Sequence, residues 1–395
     1  MIWKRIIKDK PLFIQKKTKA GELLRLKIIK FVAEYCMQLN LNLKSNKKFR
    51  LDKLHLFLEP EKIPDLQTAI EKEFKKDICN WVMFISEKCL GMRDEYYVDE
   101  KIYFRINYPF DYAIKSKNKD PKHPLHKYNK GLPRAAWAHG PHIDTWYGHS
   151  FKAINFWWNV AGVTNQNSMT LHLKKDTSNL LYDEFMYLDS SIKPPPCTKI
   201  DLKEGELLLF NSEQLHSTRL NSSNNTRFVI TTRVVQDQPS FNKSINHHHY
   251  LKWMSSKNLK LGDFSTKEYK NFITKTVSVK KLNRLRTTPF LKINANFYEQ
   301  KYFDNPQIKK NSIIKINFKD RSVILVNLNN KYFAYSNKCP HLGVDLENAF
   351  LIDNKIKCPA HGLEFNSKDG FSGCKLKLKT FKVKYSKNKS MLSIL

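Results

Sequence analysis

The chain has 395 residues, 41% hydrophobic and 12% aromatic. That is enough for two or three domains with real cores and excludes global disorder. No apolar stretch approaches the ~20 residues that span a bilayer, and the opening MIWKRIIKDK mixes charge into every turn, so neither a membrane partner nor a secretory signal is expected.

The net charge is +32, but the basic residues recur from Lys4 to Lys389 instead of clustering, and only 12 of the 69 are arginine. Lysine, asparagine and isoleucine, whose codons are AT-rich, are all abundant. The charge therefore reads as a compositional habit, with no nucleic-acid partner expected. Its functional remnant is a positive field that concentrates anionic substrates or an acidic electron donor. Seven cysteines (Cys36, Cys79, Cys89, Cys197, Cys339, Cys358 and Cys374) are too sparse and too odd in number for a disulfide scaffold. A cytoplasmic location is expected.

Along the chain, residues 19–40 place Leu24, Ile28, Val32 and Cys36 at helical spacing with a polar opposite face. A second helix is predicted after Pro64 and Asp65, through Leu66, Ile70, Phe74, Ile78 and Val82. Neither carries a metal-ligand cluster, so both read as scaffold. From about Lys101 the pattern turns to strands: KIYFRINYP, AINFWWNV, SMTLHL, GELLLF and RFVITTRVV. Between the first two lies a polar stretch with Pro121, Pro124, Gly131 and Pro133, and a loop of its length at 111–133 suggests a lid. SIKPPPC at 191–197 reads as another loop. Residues 236–288 are rich in Lys, Ser and Asn, with short helical stretches, and read as a connection. From about Phe290 short strands resume: SIIKINF, SVILVNL, KYFAYS, LKTFKVKY and SMLSIL. The expected organisation is a helical part at 1–100, a β core at 101–236, a connecting segment at 237–288 and a second β domain at 289–395.

The strongest motif is Cys339-Pro340-His341-Leu342-Gly343 followed by Cys358-Pro359-Ala360-His361-Gly362. Each half offers one thiolate and one imidazole, so two loops can present two sulfurs to one iron and two nitrogens to another, as in Rieske [2Fe–2S] ligation. Gly343 and Gly362 let backbone approach the bridging sulfides. A structural zinc site is the competing reading, but zinc fingers group cysteines and histidines in separate pairs. Residues 289–395 resemble the Rieske ferredoxin family, including the later Asp369-Gly370. The resemblance assigns Cys339, His341, Cys358 and His361 to a [2Fe–2S] cluster. The respiratory-complex type has a disulfide between its two loops; the matching positions here are Val344 and Ala360, so the soluble ferredoxin type is implied, at the lower end of the Rieske potential range. Cys374 stands where many relatives have proline and reads as a free thiol.

His142-Ile143-Asp144 opens the strand-rich region. In extended chain, residues two apart point the same way, so one imidazole and one carboxylate reach a common point. His216, after the strand GELLLF, is the best third ligand. Two histidines and a carboxylate leave open positions on a non-haem Fe(II). Thr218, Asn221 and Arg227 follow His216, and residues 216–235 resemble the last strands of the phytanoyl-CoA dioxygenase superfamily of Fe(II)/2-oxoglutarate oxygenases. That resemblance covers about residues 100–236. It implies a double-stranded β-helix, the jelly-roll or cupin-like barrel, with Arg227 and Thr218 anchoring the distal carboxylate of 2-oxoglutarate. Arg233 is the main rival for that role and Arg219 a weaker one. His139 and His149 read as solvent-facing loop residues or substrate contacts, and His172 as barrel packing or surface. Trp146, Tyr147, Trp157 and Trp158 divide between pocket and core. Arg105 reads either as a contact to an anionic substrate or as a surface salt bridge. The run His247, His248, His249 carries little functional weight.

The fold class expected is mainly β with N-terminal helices: a double-stranded β-helix barrel plus a small all-β Rieske domain. The expected function is a non-haem iron oxygenase that oxidises an unactivated C–H of a small metabolite with O2 and 2-oxoglutarate, its fused Rieske domain delivering electrons to the mononuclear iron. Two readings stand beside it. In one, cluster electrons replace 2-oxoglutarate. In the other, the chain is an electron carrier whose barrel is a non-catalytic binding module. No flavin or nicotinamide fingerprint is present, so a separate reductase is expected; a homo-oligomer is an open possibility. Substrate and regiochemistry do not follow from the sequence.

Overall fold

A strand that is apolar on both faces must be covered on both, and INFWWNVA at Ile154–Ala161 is buried along its whole length. The computed structural model shows what covers it. It describes the chain apart from residues 10–11, 40–48, 118–131, 173–179, 184–185, 190–191, 193, 196, 243–247, 249, 255–274, 278–292, 295–301, 305–309, 319–320, 387–390 and 395. The central part of the expected lid, His247 and His249, and most of the connecting segment lie outside the described residues.

The N-terminal part opens with α1 (Ile2–Asp9), β1 (Phe13–Gln15), α2 (Lys19–Leu39) and α3 (Ile63–Phe84). Strands β2 (Glu95–Asp99), β3 (Tyr103–Asn107), β4 (Ile154–Ala161), β5 (Met169–His172), β6 (Cys197–Lys199), β7 (Leu207–Asn211), β8 (His216–Thr218) and β9 (Arg227–Val235) follow. A seven-stranded sheet runs β1-β7-β4-β9-β2 and ends on the strand Tyr250–Met254, with β3 also paired to β9; a three-stranded sheet runs β6-β5-β8. The larger sheet thus takes in β1, β2 and Tyr250–Met254, none of which lies in the expected core at 101–236.

Alternation on β4 and β9 sorts the two faces. Phe156, Trp158, Phe228 and Ile230 pack in one core with Leu24, Ile28, Val32, Ile70 and Ile78 of the helices. Trp157 and Val229 point the other way, into a core with Met169, Leu171, Leu208 and Phe210 between the two sheets. Trp81 on α3 lies on Trp158, ring centroids 4.4 Å apart. The helices fall at the predicted spacing because their apolar stripes have this sheet to cover.

The C-terminal part is antiparallel apart from one edge pairing. A five-stranded sheet contains Ser312–Asn317, Ser322–Leu328 and Lys331–Ser336, and a three-stranded sheet contains Phe350–Ile352, Lys355–Lys357 and Glu364–Asn366. Ile316, Val323, Leu325, Ala334 and Ile394 form a small core of their own.

Gly162 ends β4 with φ +73°, and a Cβ there would sit 2.0 Å from the Thr226 carbonyl oxygen. Gly162→Ala is expected to destabilise the barrel by roughly 2 kcal/mol or more, from left-handed strain plus a backbone clash. Denaturant unfolding checks this; unchanged stability would mean that the β4–β9 connection is loose.

Candidate metal centres

His142 and His216 exchange two backbone hydrogen bonds: His142 N–H to the His216 oxygen at 2.8 Å, and His216 N–H to the His142 oxygen at 2.9 Å. Ile143 is extended (φ −114°, ψ 145°), and the chain then turns into a short helix at Asp144–Tyr147. Asp144 therefore faces the same side as His142, as expected, although it starts a helical turn instead of continuing a strand. The Asp144 N–H donates to the Ser212 oxygen at 2.9 Å, which anchors that turn.

The imidazoles are held by their outer nitrogens. His142 Nδ1 lies 2.7 Å from the Gly140 carbonyl oxygen and His216 Nδ1 2.8 Å from that of Gln214. A carbonyl only accepts, so both Nδ1 atoms carry the proton and both Nε2 atoms present a lone pair. Those atoms lie 3.8 and 3.6 Å from Asp144 Oδ1. All three side chains are buried, and their ligand atoms lie within 4.8 Å of one another. Burial, with His216 beside it, lowers His142 to about 3; burial likewise lowers His216. Burial alone would raise Asp144, but Arg233 and the surrounding histidines hold it well below the carboxylate range. Two neutral imidazoles and one carboxylate fit a divalent transition metal, with metal–ligand distances of ~2.0–2.2 Å bridging the gaps.

These residues sit in a cavity of about 540 Å³ lined from both sheets, which also holds Arg105, Arg227, Arg233, Thr218, His139 and His149. His149 is buried, so it is not the solvent-facing residue its loop position suggested; His139 Nδ1 lies 3.1 Å from the Tyr187 hydroxyl. Tyr147 and Trp157 line the cavity; Trp146 and Trp158 are packed in cores. His172 is barrel packing, its Nδ1 2.9 Å from the Pro195 oxygen. Arg227 places Nη1 2.5 Å from the Asn167 carbonyl oxygen and Nη2 2.6 Å from Asn107 Oδ1, both neutral partners; burial lowers it to about 9. The Thr218 hydroxyl accepts from the His139 N–H at 2.7 Å. Arg233 instead bonds Asp144 Oδ2 through Nε at 3.0 Å, with Nη1 3.7 Å from Asp99 Oδ2.

Sequence reasoning missed Asp99. Asp99, His149 and His248 are a second group of potential ligands. The rings of His149 and His248 stack at 3.8 Å and 15°, so their lone pairs lie in near-parallel planes. The Tyr103 hydroxyl lies 3.1 Å from His248 Nδ1. This group serves as the polar surround of Asp99, which in turn faces Arg233.

In the C-terminal part the two Cys-Pro-x-x-Gly-like loops share one backbone pattern. Cys339 N–H donates to the Val344 oxygen and Gly343 N–H to the Cys339 oxygen, at 2.8 and 2.7 Å; Cys358 N–H donates to the Leu363 oxygen and Gly362 N–H to the Cys358 oxygen, at 2.8 and 3.1 Å. Each glycine has a left-handed φ, +72° and +64°, which is what closes each loop. The bond to Cys339 and the N–H groups of Ala360 and His361 lower the pKa of the Cys358 thiol. The His341 and His361 rings lie 5.0 Å apart, and His341 Nε2 is buried without a hydrogen-bond partner. Residues 299–378 match the family model of the Rieske [2Fe-2S] domain. The C-terminal part of this chain is a Rieske domain. Its cofactor is a [2Fe–2S] cluster, and paired loops with backbone N–H groups turned toward the thiols fit that group. All seven cysteines are free.

The Rieske domain is similar in structure to the ferredoxin of carbazole 1,9a-dioxygenase from Nocardioides aromaticivorans IC177, at 19% identity over 24% of this chain and 93% of that one, TM-score 0.22. The Sphingomonas yanoikuyae B1 ferredoxin matches at 21% identity over 22% of this chain and 86% of that one, TM-score 0.20. The larger part of the chain is similar to the epimerase SnoN, solved with Fe3+, α-ketoglutarate and nogalamycin RO, at 14% identity over 60% of this chain and 85% of that one, TM-score 0.34. No curated protein matches the chain. Among the described residues no helix is long and apolar enough to cross a membrane.

The Rieske domain meets the barrel at its histidine loops. The His361 side chain bonds the Ala138 carbonyl, and the His361 carbonyl accepts the Leu220 N–H at 3.2 Å. Arg219 reaches the Gly362 oxygen at 3.3 Å and pairs with Glu364 at 2.9 Å, which is the structural task of that arginine. Phe110 stands edge-on to His341, centroids 5.4 Å apart, and Lys357 Nζ lies 3.3 Å from Cys197 Sγ.

Asp144→Asn and His142→Ala are each expected to remove the mononuclear metal while leaving cluster absorption intact. Arg233→Met is expected to weaken that metal by roughly 10–100-fold, since it orients the ligand carboxylate. Metal analysis against the visible spectrum tests all three; retention of the metal in Asp144→Asn would rule the triad out.

Proposed function

We propose that the chain is a non-haem iron oxygenase that oxidises an unactivated C–H of a small metabolite with O2 and 2-oxoglutarate, with its own Rieske domain as electron donor to the mononuclear iron. His142, Asp144 and His216 hold that iron, and Cys339, His341, Cys358 and His361 hold the [2Fe–2S] cluster. Bound, the iron would supply O2 activation, with 2-oxoglutarate and the substrate giving the electrons of each turnover, and the cluster would supply the single electron that returns iron left as Fe(III) to Fe(II).

One observation carries the coupling of the two. His361 sits across the pair of chain segments that bear the iron-ligand histidines. Its side chain touches Ala138, four residues before His142, and its carbonyl is bonded to Leu220, four residues after His216. Four residues reach at most ~14 Å, so a bonded path of that length joins each contact to a ligand. A fused donor also acts at high effective concentration. The free thiols suit a reducing cytoplasm.

The chain's own residues divide the remaining work. Arg227 and Thr218, which both line the cavity, take the distal carboxylate of 2-oxoglutarate, a bidentate task for which guanidinium is suited. Arg227 has no carboxylate partner among the described residues, which supports a role in receiving one. Arg233 keeps Asp144 ionised and aimed at the metal. The histidines stay neutral because burial opposes their protonation.

Two measurements test this reading. Anaerobic addition of 2-oxoglutarate to protein with Fe(II) and reduced cluster is expected to give a saturable charge-transfer band that Arg227→Ala lacks. A wild-type protein with full iron and no band would leave the cluster as the source of electrons in place of 2-oxoglutarate. Reoxidation of reduced cluster by the Fe(III) form is expected to be independent of protein concentration. Arg219→Glu is expected to slow it at least tenfold, and adding Glu364→Arg to restore part of the rate. A rate proportional to concentration would place the transfer between chains.

A further inference from the structure

Three guanidinium groups line the cavity, and they are not equivalent. Arg233 is neutralised by Asp144 and Asp99, at 3.0 and 3.7 Å. Arg227 is held by neutral oxygens. Arg105 has no hydrogen bond or ion pair among the described residues; its guanidinium lies over the Tyr103 ring, 4.8 Å from the centroid. On the β3–β9 ladder Arg105 stands opposite Val229, with Asn107 opposite Arg227 and Tyr103 opposite Thr231. Alternation puts Tyr103, Arg105 and Asn107 on the cavity side of β3, while Phe104 and Ile106 belong to the core against the helices. Arg105 is half-buried and lines the cavity; desolvation and the neighbouring Arg233 lower its pKa.

A cation that lines a partly desolvated cavity with no anion bonded to it gains from an anionic ligand. The site as a whole therefore awaits two anionic groups, one for Arg227 and one for Arg105. On the function proposed above, the distal carboxylate of 2-oxoglutarate takes Arg227. Arg105 remains. The same cavity has an apolar and aromatic part to its lining, which includes Trp137, Tyr147, Met169 and Phe210. A cavity of about 540 Å³ is within the size range of small-molecule sites and has room for more than the co-substrate.

We propose that the substrate is an amphipathic organic anion, its carboxylate or phosphate ester paired with Arg105 and its apolar body laid along the aromatic wall. The pairing fixes which end of the molecule faces the iron. It rests on the oxygenase reading only in giving Arg227 to the co-substrate. Neutral sugars and hydrocarbons are disfavoured as substrates, because they would leave Arg105 in the cavity without an anion.

The test uses full-length holoprotein without O2, at saturating 2-oxoglutarate, and calorimetric titration with three probes: 3-phenylpropionate, its neutral isostere 3-phenylpropanamide, and 2-phenylethyl phosphate. At least one anion is expected to bind tenfold or more tightly than the amide, and the tighter anion names the headgroup. Arg105→Met is expected to reduce the anion to the level of the amide, and Arg105→Lys to recover part of the difference. Arg227→Met is expected to weaken 2-oxoglutarate at least tenfold and to leave anion-probe affinity within threefold. Equal binding of anion and amide, no binding of any probe, or an unchanged Arg105→Met would overturn the proposal. So would an Arg105→Met protein that loses 2-oxoglutarate but keeps the probes, since Arg105 would then serve the co-substrate. If wild type binds no 2-oxoglutarate yet discriminates the probes through Arg105, the oxygenase reading falls and the anion site stands.

Discussion

The double hydrogen bond between His142 and His216 is the constraint on which the geometry of the candidate mononuclear site depends. It locks two segments far apart in sequence into one antiparallel bridge. Ring nitrogens bonded to the carbonyls of Gly140 and Gln214 then fix both tautomers. The same bridge continues outward as the pairing of His139 with Thr218, whose N–H groups and oxygens bond each other. It ends at Ala138 and Leu220, where the Rieske domain docks. One ladder thus sets ligand geometry at its inner end and the seat of His361 at its outer end.

Charge compensation is the second layer. A buried carboxylate beside two neutral imidazoles is costly without a cation near it. Arg233 supplies that cation before any metal arrives, and Asp99 keeps Arg233 from being in excess. Asp144 Oδ2 is taken by Arg233 while Oδ1 faces the imidazoles. A carboxylate with one oxygen committed in this way presents a single ligand atom, which leaves more of the metal's coordination sphere open. The unpaired cations, Arg227 and Arg105, lie farther along the same inward face of the β3–β9 ladder, where ligands rather than protein anions must meet them.

Much of this was legible in the residues, and the reasons differ by element. Each loop is Cys-Pro-x-x-Gly with a histidine at one of the two middle positions, which encodes ligand and turn together, so the Rieske loops are readable locally. The stripes Leu24-Ile28-Val32-Cys36 and Leu66-Ile70-Phe74-Ile78-Val82 encode helices that need only a surface to cover. Asp99 is different. Its strand, EYYVD, looks like any half-buried strand, and its importance comes from β2 pairing with β9 near Val234 and Val235, a register no local pattern carries. His149 was misjudged for a related reason. Loop residues are usually solvated, but here the loop after Asp144 folds back over the cavity, where His149 meets Asp99. Arg219 was weighed for a ligand and turned out to bind Glu364, a partner 145 residues away in the sequence.

The docking of the Rieske domain gives the fusion its physical sense. His361 is 1% exposed and His341 9%, although a ferredoxin that serves a separate partner must present its cluster histidines to reach it. Here those histidines are committed to the barrel of their own chain by a carbonyl, an N–H, an aromatic edge and an ion pair. Under the proposed function, that commitment favours transfer inward over exchange with other partners. It also means that a reductase feeding the cluster must use another face of the domain, or reach it when the docked surfaces part. The Arg219–Glu364 pair is then well placed to set that balance: at 2.9 Å and largely buried it joins the domain to the barrel, and as a charge pair it is the contact most sensitive to a competing charged partner.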